Sequence, residues 1–198
     1  MNNKKNETLR KKLINSSVGI AGAGGLGSNV AISLVRTGIG RLVIVDFDTV
    51  EESNLNRQYY FKNQVGKLKV DALKENILRI NPKIKIDVFN ERLVKGTMHK
   101  YFKDVDVIVE ALDNAETKTS FIEEVMDKLT EIPIVSASGV TGYGNIDRIK
   151  SINMGNLHMI YDKNAKDSDK DILTAPKVAL IANWQANIIL EILLGEDI

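Results

Sequence analysis

The sequence predicts an α/β fold: a mostly parallel sheet with helices on both faces and an antiparallel C-terminal extension. Short apolar runs alternate with stretches of helical periodicity. The first run passes directly into a glycine-rich turn, and the alternation stops after Ala137, where Gly139, Gly142 and Gly144 crowd one loop. Strand–helix–strand order forces parallel pairing through crossovers, which sets helices on either side of the sheet. A chain of 198 residues suits a single domain, here spanning 1–198.

The elements follow in order. Residues 18–21 form a short apolar run before the turn at 22–27, and 28–37 then reads as a helix with Val30, Leu34 and Ala31 on one face. Residues 41–46 (RLVIVD) are nearly continuous in apolar character, as in a strand buried on both faces. Residues 67–80 place Leu68, Ala72, Leu73, Ile77 and Ile80 at helical spacing, and Asn81-Pro82 ends that helix. Strands are expected at 83–89, 105–112 and 132–137, with a helix at 117–129. Beyond the glycine cluster, 145–149 alternates like a hairpin strand with 157–161 as its partner. Residues 162–171 (DKNAKDSDKD) are charged and read as an exposed, mobile loop. Residues 176–194 form a long apolar-rich closing helix.

Composition narrows the function classes. A net charge of +1 offers no concentrated basic field for nucleic acid or a membrane surface. No apolar run is expected to approach the roughly 18 residues of a membrane span. The N-terminal MNNKKNETLRKK is basic with no apolar core behind it, unlike a secretory signal, so a cytoplasmic location is expected. With no cysteine, the chain has no disulfide, thiolate ligand or thiol nucleophile. His99 and His158 stand far apart, and no zinc site is expected.

The turn Gly22, Ala23, Gly24, Gly25, Leu26, Gly27 joins a strand to a helix. Such a turn gathers backbone N–H groups and the positive end of the helix dipole, so it binds phosphate. Asp46 ends the next strand, roughly 20 residues on, where an acidic group commonly holds a ribose hydroxyl. A tight turn without a ligand is the competing reading, and the motif alone also permits an NAD-dependent oxidoreductase. Ser53, Asn54, Arg57 and Gln58 then follow within SNLNRQ, and Lys69 opens the next helix. A carboxylate attacking an anionic phosphate needs nearby cations, and Arg57 offers a fork and Lys69 a point charge. As isolated residues both would read as surface cations. Asp113 and Asn114 end a strand, the edge of an open sheet where ligands bind, and Asp113 suits Mg²⁺ there. Asp113 also suits the N-cap of the following helix.

Together these segments resemble the ThiF/MoeB/ubiquitin-activating-enzyme family. The ordered match runs GAGGLGS (22–28), VDFD (45–48), SNLNRQ (53–58), VGKLK (65–69), LDN (112–114) and a terminal TAPKVALIANWQANIILEILLG, covering nearly the whole chain, with short bacterial ThiF proteins the nearest fit. The resemblance implies a Rossmann-like nucleotide-binding adenylation domain. Gly25, Asp46, Asn54, Arg57, Lys69 and Asp113 would form an ATP–Mg²⁺ site. The implied activity is ATP-dependent adenylylation of the C-terminal Gly-Gly carboxylate of a small ubiquitin-like sulfur-carrier protein. ThiS-type carriers of thiamine biosynthesis are favoured, with molybdopterin-type carriers as the alternative. A non-catalytic member that only binds a ubiquitin-like fold is a further alternative.

Many relatives carry paired CxxC zinc motifs and a cysteine on a crossover loop, and this chain has neither. A separate sulfur donor is therefore implied. The family implies a homodimer. The chain starts too close to its first strand for the RYxRQ arm of larger relatives, and Arg10 reads either as its substitute or as an exposed helix cation. The carrier is expected to dock on the sheet face after Gly139, with the 162–171 loop ordering over its tail.

Overall fold

Alternation within the apolar strands decides what each face of the sheet buries. In β1 (Ser17–Ala21), Val18 and Ile20 join one core and Ala21 the other. In β2 (Arg41–Val45), Leu42 and Ile44 oppose Val43 and Val45 in the same way. The computed structural model describes residues 2–166 and 171–195. With β3 (Lys85–Phe89), β4 (Val107–Glu110), β5 (Ile134–Ser138), β6 (Lys150–Met154) and β7 (Leu157–Tyr161), these strands form one sheet in the order β3-β2-β1-β4-β5-β7-β6.

One core lies under α2 (Gly25–Thr37), α3 (Lys69–Ile80) and α5 (Ala175–Leu194). The other lies under α4 (Ala115–Lys128) and a short turn at Met98–Phe102, where the Phe102 and Phe121 rings meet edge to face at 5.6 Å. Helices thus cover both faces, as the sequence predicts. The chain leaves β1 towards β2 and β3 on one side, and returns to β4 and β5 on the other. That reversal opens a crevice at the carboxyl ends of β1 and β4, where ligands of such sheets bind.

Some expectations require correction. Residues 145–149 are not a strand. Gly142, Gly144 and Asn145 all take positive φ, which breaks the extended backbone, and a 3₁₀ turn at Ile146–Arg148 follows. The hairpin strand is β6, antiparallel to β7, while β7 itself runs parallel to β5. The antiparallel extension is therefore a single edge strand. An N-terminal helix, α1 (Asn2–Ile14), also precedes β1, with Leu13 buried and Lys12 Nζ donating to the Leu194 carbonyl at 3.1 Å. Arg10 is exposed on it.

The closing helix α5 is, by length and composition, apolar enough to cross a membrane, contrary to the reading that no run approaches that limit. Its apolar side chains have another role. Val178, Ile181, Ala182, Ile188 and Ile189 are buried in the core shared with α2 and the sheet. Nor is the 162–171 stretch exposed throughout. Asp162 is buried, 5% exposed at its side chain, and pairs at 2.7 Å with Lys177, itself 7% exposed, in the first turn of α5. Burial opposes ionisation of Asp162, but the Lys177 ammonium and the Asn164 N–H outweigh it and hold the carboxyl below its ordinary range. Lys163, Asn164 and Lys166 are exposed, and residues 167–170 lie outside the described residues.

This pair fastens the connection after β7 to the start of α5. Lys177→Met leaves a buried carboxylate without its partner and should cost about 3–5 kcal/mol. Urea unfolding measures this, and a loss below about 1 kcal/mol, the range of surface pairs, would contradict the burial described.

Candidate functional site

The glycine turn is shaped by contacts that exclude side chains. Gly22 has φ +98°, and a Cβ on it would lie 2.6 Å from the Ala111 carbonyl oxygen. A Cβ on Gly27 would collide with the Gly22 carbonyl oxygen, so this glycine lets α2 pack onto the turn. No side chain caps α2 at Gly24, which leaves its first-turn N–H groups for a ligand.

Asp46 ties this turn to the end of β2. Its Oδ2 accepts from the Ala23 N–H at 2.6 Å and its Oδ1 from the Asp48 N–H at 2.8 Å. Burial raises the Asp46 carboxyl above its ordinary range, and the Asp48 charge adds to this, against the two N–H donors and Lys69.

The 53–60 segment is stitched across the same turn. Tyr60 is buried and its hydroxyl donates to the Ala23 carbonyl at 2.7 Å. Ser28 Oγ accepts from the Tyr59 N–H at 3.0 Å and donates to the Gly24 carbonyl at 2.6 Å. Asn29 Nδ2 donates to the carbonyls of Gly25, at 2.7 Å, and Arg57, at 3.0 Å. Arg57 is thereby laid against Gly25. Its NH1 donates to the Ser53 carbonyl at 3.0 Å and to Asn56 Oδ1 at 2.8 Å.

Lys69 arrives by another route. The Thr49–Leu68 bridge and the Lys69 N–H to Asp48 carbonyl bond, 2.9 Å, seat the start of α3 beside the exit of β2. The Lys69 ammonium, 8% exposed at its side chain, pairs with Asp48 at 2.8 Å. Asp113 is exposed in the turn between β4 and α4, and no protein group among the described residues hydrogen-bonds or pairs with its carboxylate.

These residues surround one cavity of about 770 Å³, a size that suits a nucleotide. A buried acceptor, Gln58 Oε1, lacks a partner in its wall beside Gly24, as a ligand-binding group would. Among the described residues no group of three or more His, Asp or Glu side chains gathers. A divalent ion here would take the Asp113 carboxylate and draw the rest of its oxygen shell from phosphate and water, which suits Mg²⁺.

A profile of the ThiF family matches residues 2–198. The chain belongs to the ThiF family. It is 35% identical over 188 residues to the adenylyltransferase and sulfurtransferase MOCS3 of Dictyostelium discoideum, covering 91% of this chain and 44% of that protein. It is 31% identical over 154 residues to the tRNA threonylcarbamoyladenosine dehydratase of Bacillus subtilis (strain 168), covering 77% and 58%. The chain thus spans less than two thirds of these relatives' lengths. The fold resembles the E. coli tRNA N6-threonylcarbamoyladenosine dehydratase crystallised with ATP, with a TM-score of 0.85, 20% identity and 95% and 89% of the two chains covered. It also resembles E. coli MccB with ATP, with a TM-score of 0.74, 23% identity and 94% and 58% covered.

Of the residues singled out in this ThiF-family sequence, Gly22, Gly24, Gly25, Asp46, Arg57, Gln58, Lys69, Asp113 and Asn114 line the cavity. Gly27, Ser53 and Asn54 do not. Asn54 is buried and its Oδ1 accepts from the Glu51 N–H at 3.1 Å, while Ser53 Oγ donates to Glu51 Oε2. Both shape the turn that carries Arg57. Asn114, not Asp113, caps α4, accepting from the Thr117 N–H at 2.9 Å. Sequence reasoning missed Tyr60, although the tandem tyrosine after SNLNRQ was visible. It also missed Arg92, whose guanidinium stacks 3.8 Å over the Phe47 ring at the cavity wall, and Lys118.

Asp46 generates a pH prediction. Just above the ordinary aspartate range the native state holds this proton and the unfolded chain does not, so stability falls as pH rises through that window. The stability of wild type relative to Asp46→Asn should therefore fall with rising pH there, measured by urea unfolding at stepped pH. A flat difference would show an unshifted carboxyl.

Proposed function

We propose that this chain is an ATP-dependent adenylyltransferase acting on the C-terminal glycine carboxylate of a ubiquitin-like sulfur-carrier protein, with ThiS-type carriers as the first choice. The observation that carries this reading is the meeting of Arg57, Lys69 and the free Asp113 carboxylate around the uncapped turn of α2, in one cavity. The cations and helix terminus suit a triphosphate, and the free acid suits its metal.

In the reaction, a carboxylate oxygen of the carrier attacks the α-phosphorus, and the bond to the bridging oxygen breaks. The electron pair leaves with pyrophosphate, and an acyl-adenylate remains. No side-chain nucleophile and no proton transfer are needed, so catalysis is positioning and charge neutralisation. The turn 22–25 cradles phosphate, Arg57 and Lys69 balance charge, and Asp46, already fixed between two N–H groups, has acceptor capacity left for the ribose. A Mg²⁺ ion held at Asp113 would neutralise charge on the departing pyrophosphate. With no cysteine, the chain hands the adenylate to a separate sulfur donor. The exposed Tyr143 and Ile146, beyond Gly139, and Ile152 and Met154 on β6 offer an apolar face for the carrier. A second copy of the chain completes a homodimer in this reading.

The dehydratase relative raises a second acceptor, the carboxylate of a modified tRNA nucleoside. The net charge of +1 weighs against it, because binding a polyanion relies on neutralising phosphates.

Carrier-dependent ATP–pyrophosphate exchange tests the proposal directly. Asp113→Ala should abolish exchange in a folded protein, and near-normal exchange would remove Asp113 from the site. Alanine at Arg57 or Lys69 should lower the rate more than it weakens ATP binding, as for groups that stabilise charge growing in the transition state. Intact-mass analysis after incubation with carrier and MgATP should find carrier heavier by AMP and unmodified enzyme. Modified tRNA supporting exchange where carrier does not would decide for the second acceptor.

A further inference from the structure

Glu110 ends β4 and is completely buried, although it is a charged residue inside an apolar strand run. Two of its carboxylate's three partners, Leu112 and Lys118, lie in the segment that carries Asp113. Its Oε1 accepts from the Leu112 N–H at 2.8 Å. Its Oε2 accepts from Ser136 Oγ on β5 at 2.6 Å and from the Lys118 ammonium. Lys118 comes from the first turn of α4 and also donates to the Ala137 carbonyl at 3.0 Å. The Glu110 carbonyl accepts from Gln185 Nε2 of α5 at 3.3 Å.

Glu110 and Lys118 stand at the two ends of the 110–118 segment, with Asp113 between them. Their ion pair closes the segment into a ring and fastens that ring to β5. The Asp113 carboxylate makes no hydrogen bond or ion pair with the described residues, so its placement depends on the backbone that this ring fixes. A buried ion pair is a poor means of stabilising a fold, since apolar residues of similar volume often serve as well. Its value here lies in geometry.

We propose that the Glu110–Lys118 pair is a positioning device that fixes the Asp113 carboxylate for its metal, with Ser136 as its anchor on β5. This rests on the reading of Asp113 as the metal-holding residue. Neither Glu110 nor Lys118 reacts. They act through the turn, as outer groups do when they orient a metal ligand.

The test is a Glu110→Met/Lys118→Met double variant, which preserves volume and leaves no buried charge unpaired, beside Lys118→Arg as the conservative change. Calorimetry measures how far Mg²⁺ tightens ATP binding, and hydrogen exchange measures protection of the Leu112 amide. In the double variant the tightening of ATP binding by Mg²⁺ should fall about ten-fold. The Leu112 amide should exchange about ten-fold faster, while amides of β1 keep their protection. Lys118→Arg should retain both properties.

Unchanged Leu112 exchange in the folded double variant overturns the proposal. So does unchanged Mg²⁺ tightening when an Asp113→Asn control shows that Asp113 contributes to it. If Asp113→Asn has no effect on the tightening, the metal reading of Asp113 is wrong, and the exchange data alone decide whether the ring exists. Should the double variant fold poorly, Glu110→Asp keeps the charges but shortens the arm, and the same two measurements apply with the same expected directions.

Discussion

The site depends on one half-buried carboxylate. Asp46 holds the Ala23 N–H with one oxygen and the Asp48 N–H with the other. It thereby fixes the exit of β1 to the exit of β2 at the crevice where the sheet order reverses. Ala23 is held again through its carbonyl by Tyr60, so one residue of the glycine turn is gripped from both sides. No side chain caps the first turn of α2, and its own Ser28 and Asn29 bond the carbonyls of that turn and reach the 53–60 segment at the Tyr59 N–H and the Arg57 carbonyl. Its position relative to the cations is set by these long-range bonds.

Arg57 and Lys69 reach the cavity by separate supports. Arg57 is borne by a turn whose Ser53 and Asn54 side chains are spent on its own backbone and on Glu51. Lys69 is borne by the bridge that joins Thr49 to Leu68. Its pairing with Asp48 keeps a nearly buried ammonium compensated, and this costs less than leaving it bare. The two cations therefore converge without relying on each other, and both differ from Asp113, whose acid is left uncommitted.

Much of this was legible in the sequence because strand burial leaves apolar runs and phosphate turns leave glycines. Residues 41–46 and 105–112 read as buried strands for that reason, and their ends marked Asp46 and Asp113. Direction was not legible. SNLNRQ announces a functional segment, but only packing decides that Arg57 and Gln58 face the cavity while Asn54 turns inward as a structural bond. The α1 helix left little trace, since Leu13 is its one fully buried side chain among those described. The strand read at 145–149 failed because alternation says nothing of φ, and Asn145 adopts the left-handed region. Glu110 was visible as a charge in an apolar run, yet its partners lie eight and twenty-six residues away.

The cavity wall is unevenly shared along the chain. Its charged side chains all lie at or before Lys118, whereas the stretch from Ala137 onward adds mainly small or apolar surface at Gly139, Val140, Leu173 and Val178. The edge strand β6, exposed along its length, lies at the far end of the sheet from the turn that carries Arg57. Substitutions in these two regions share no direct partners, so their effects should add rather than interact. A sequence can then drift at its edge strand, changing what it meets there, while the cavity at the carboxyl ends of β1 and β4 is left as it is. Diversification of acceptors within one fold becomes a matter of altering a margin, with the centre left alone.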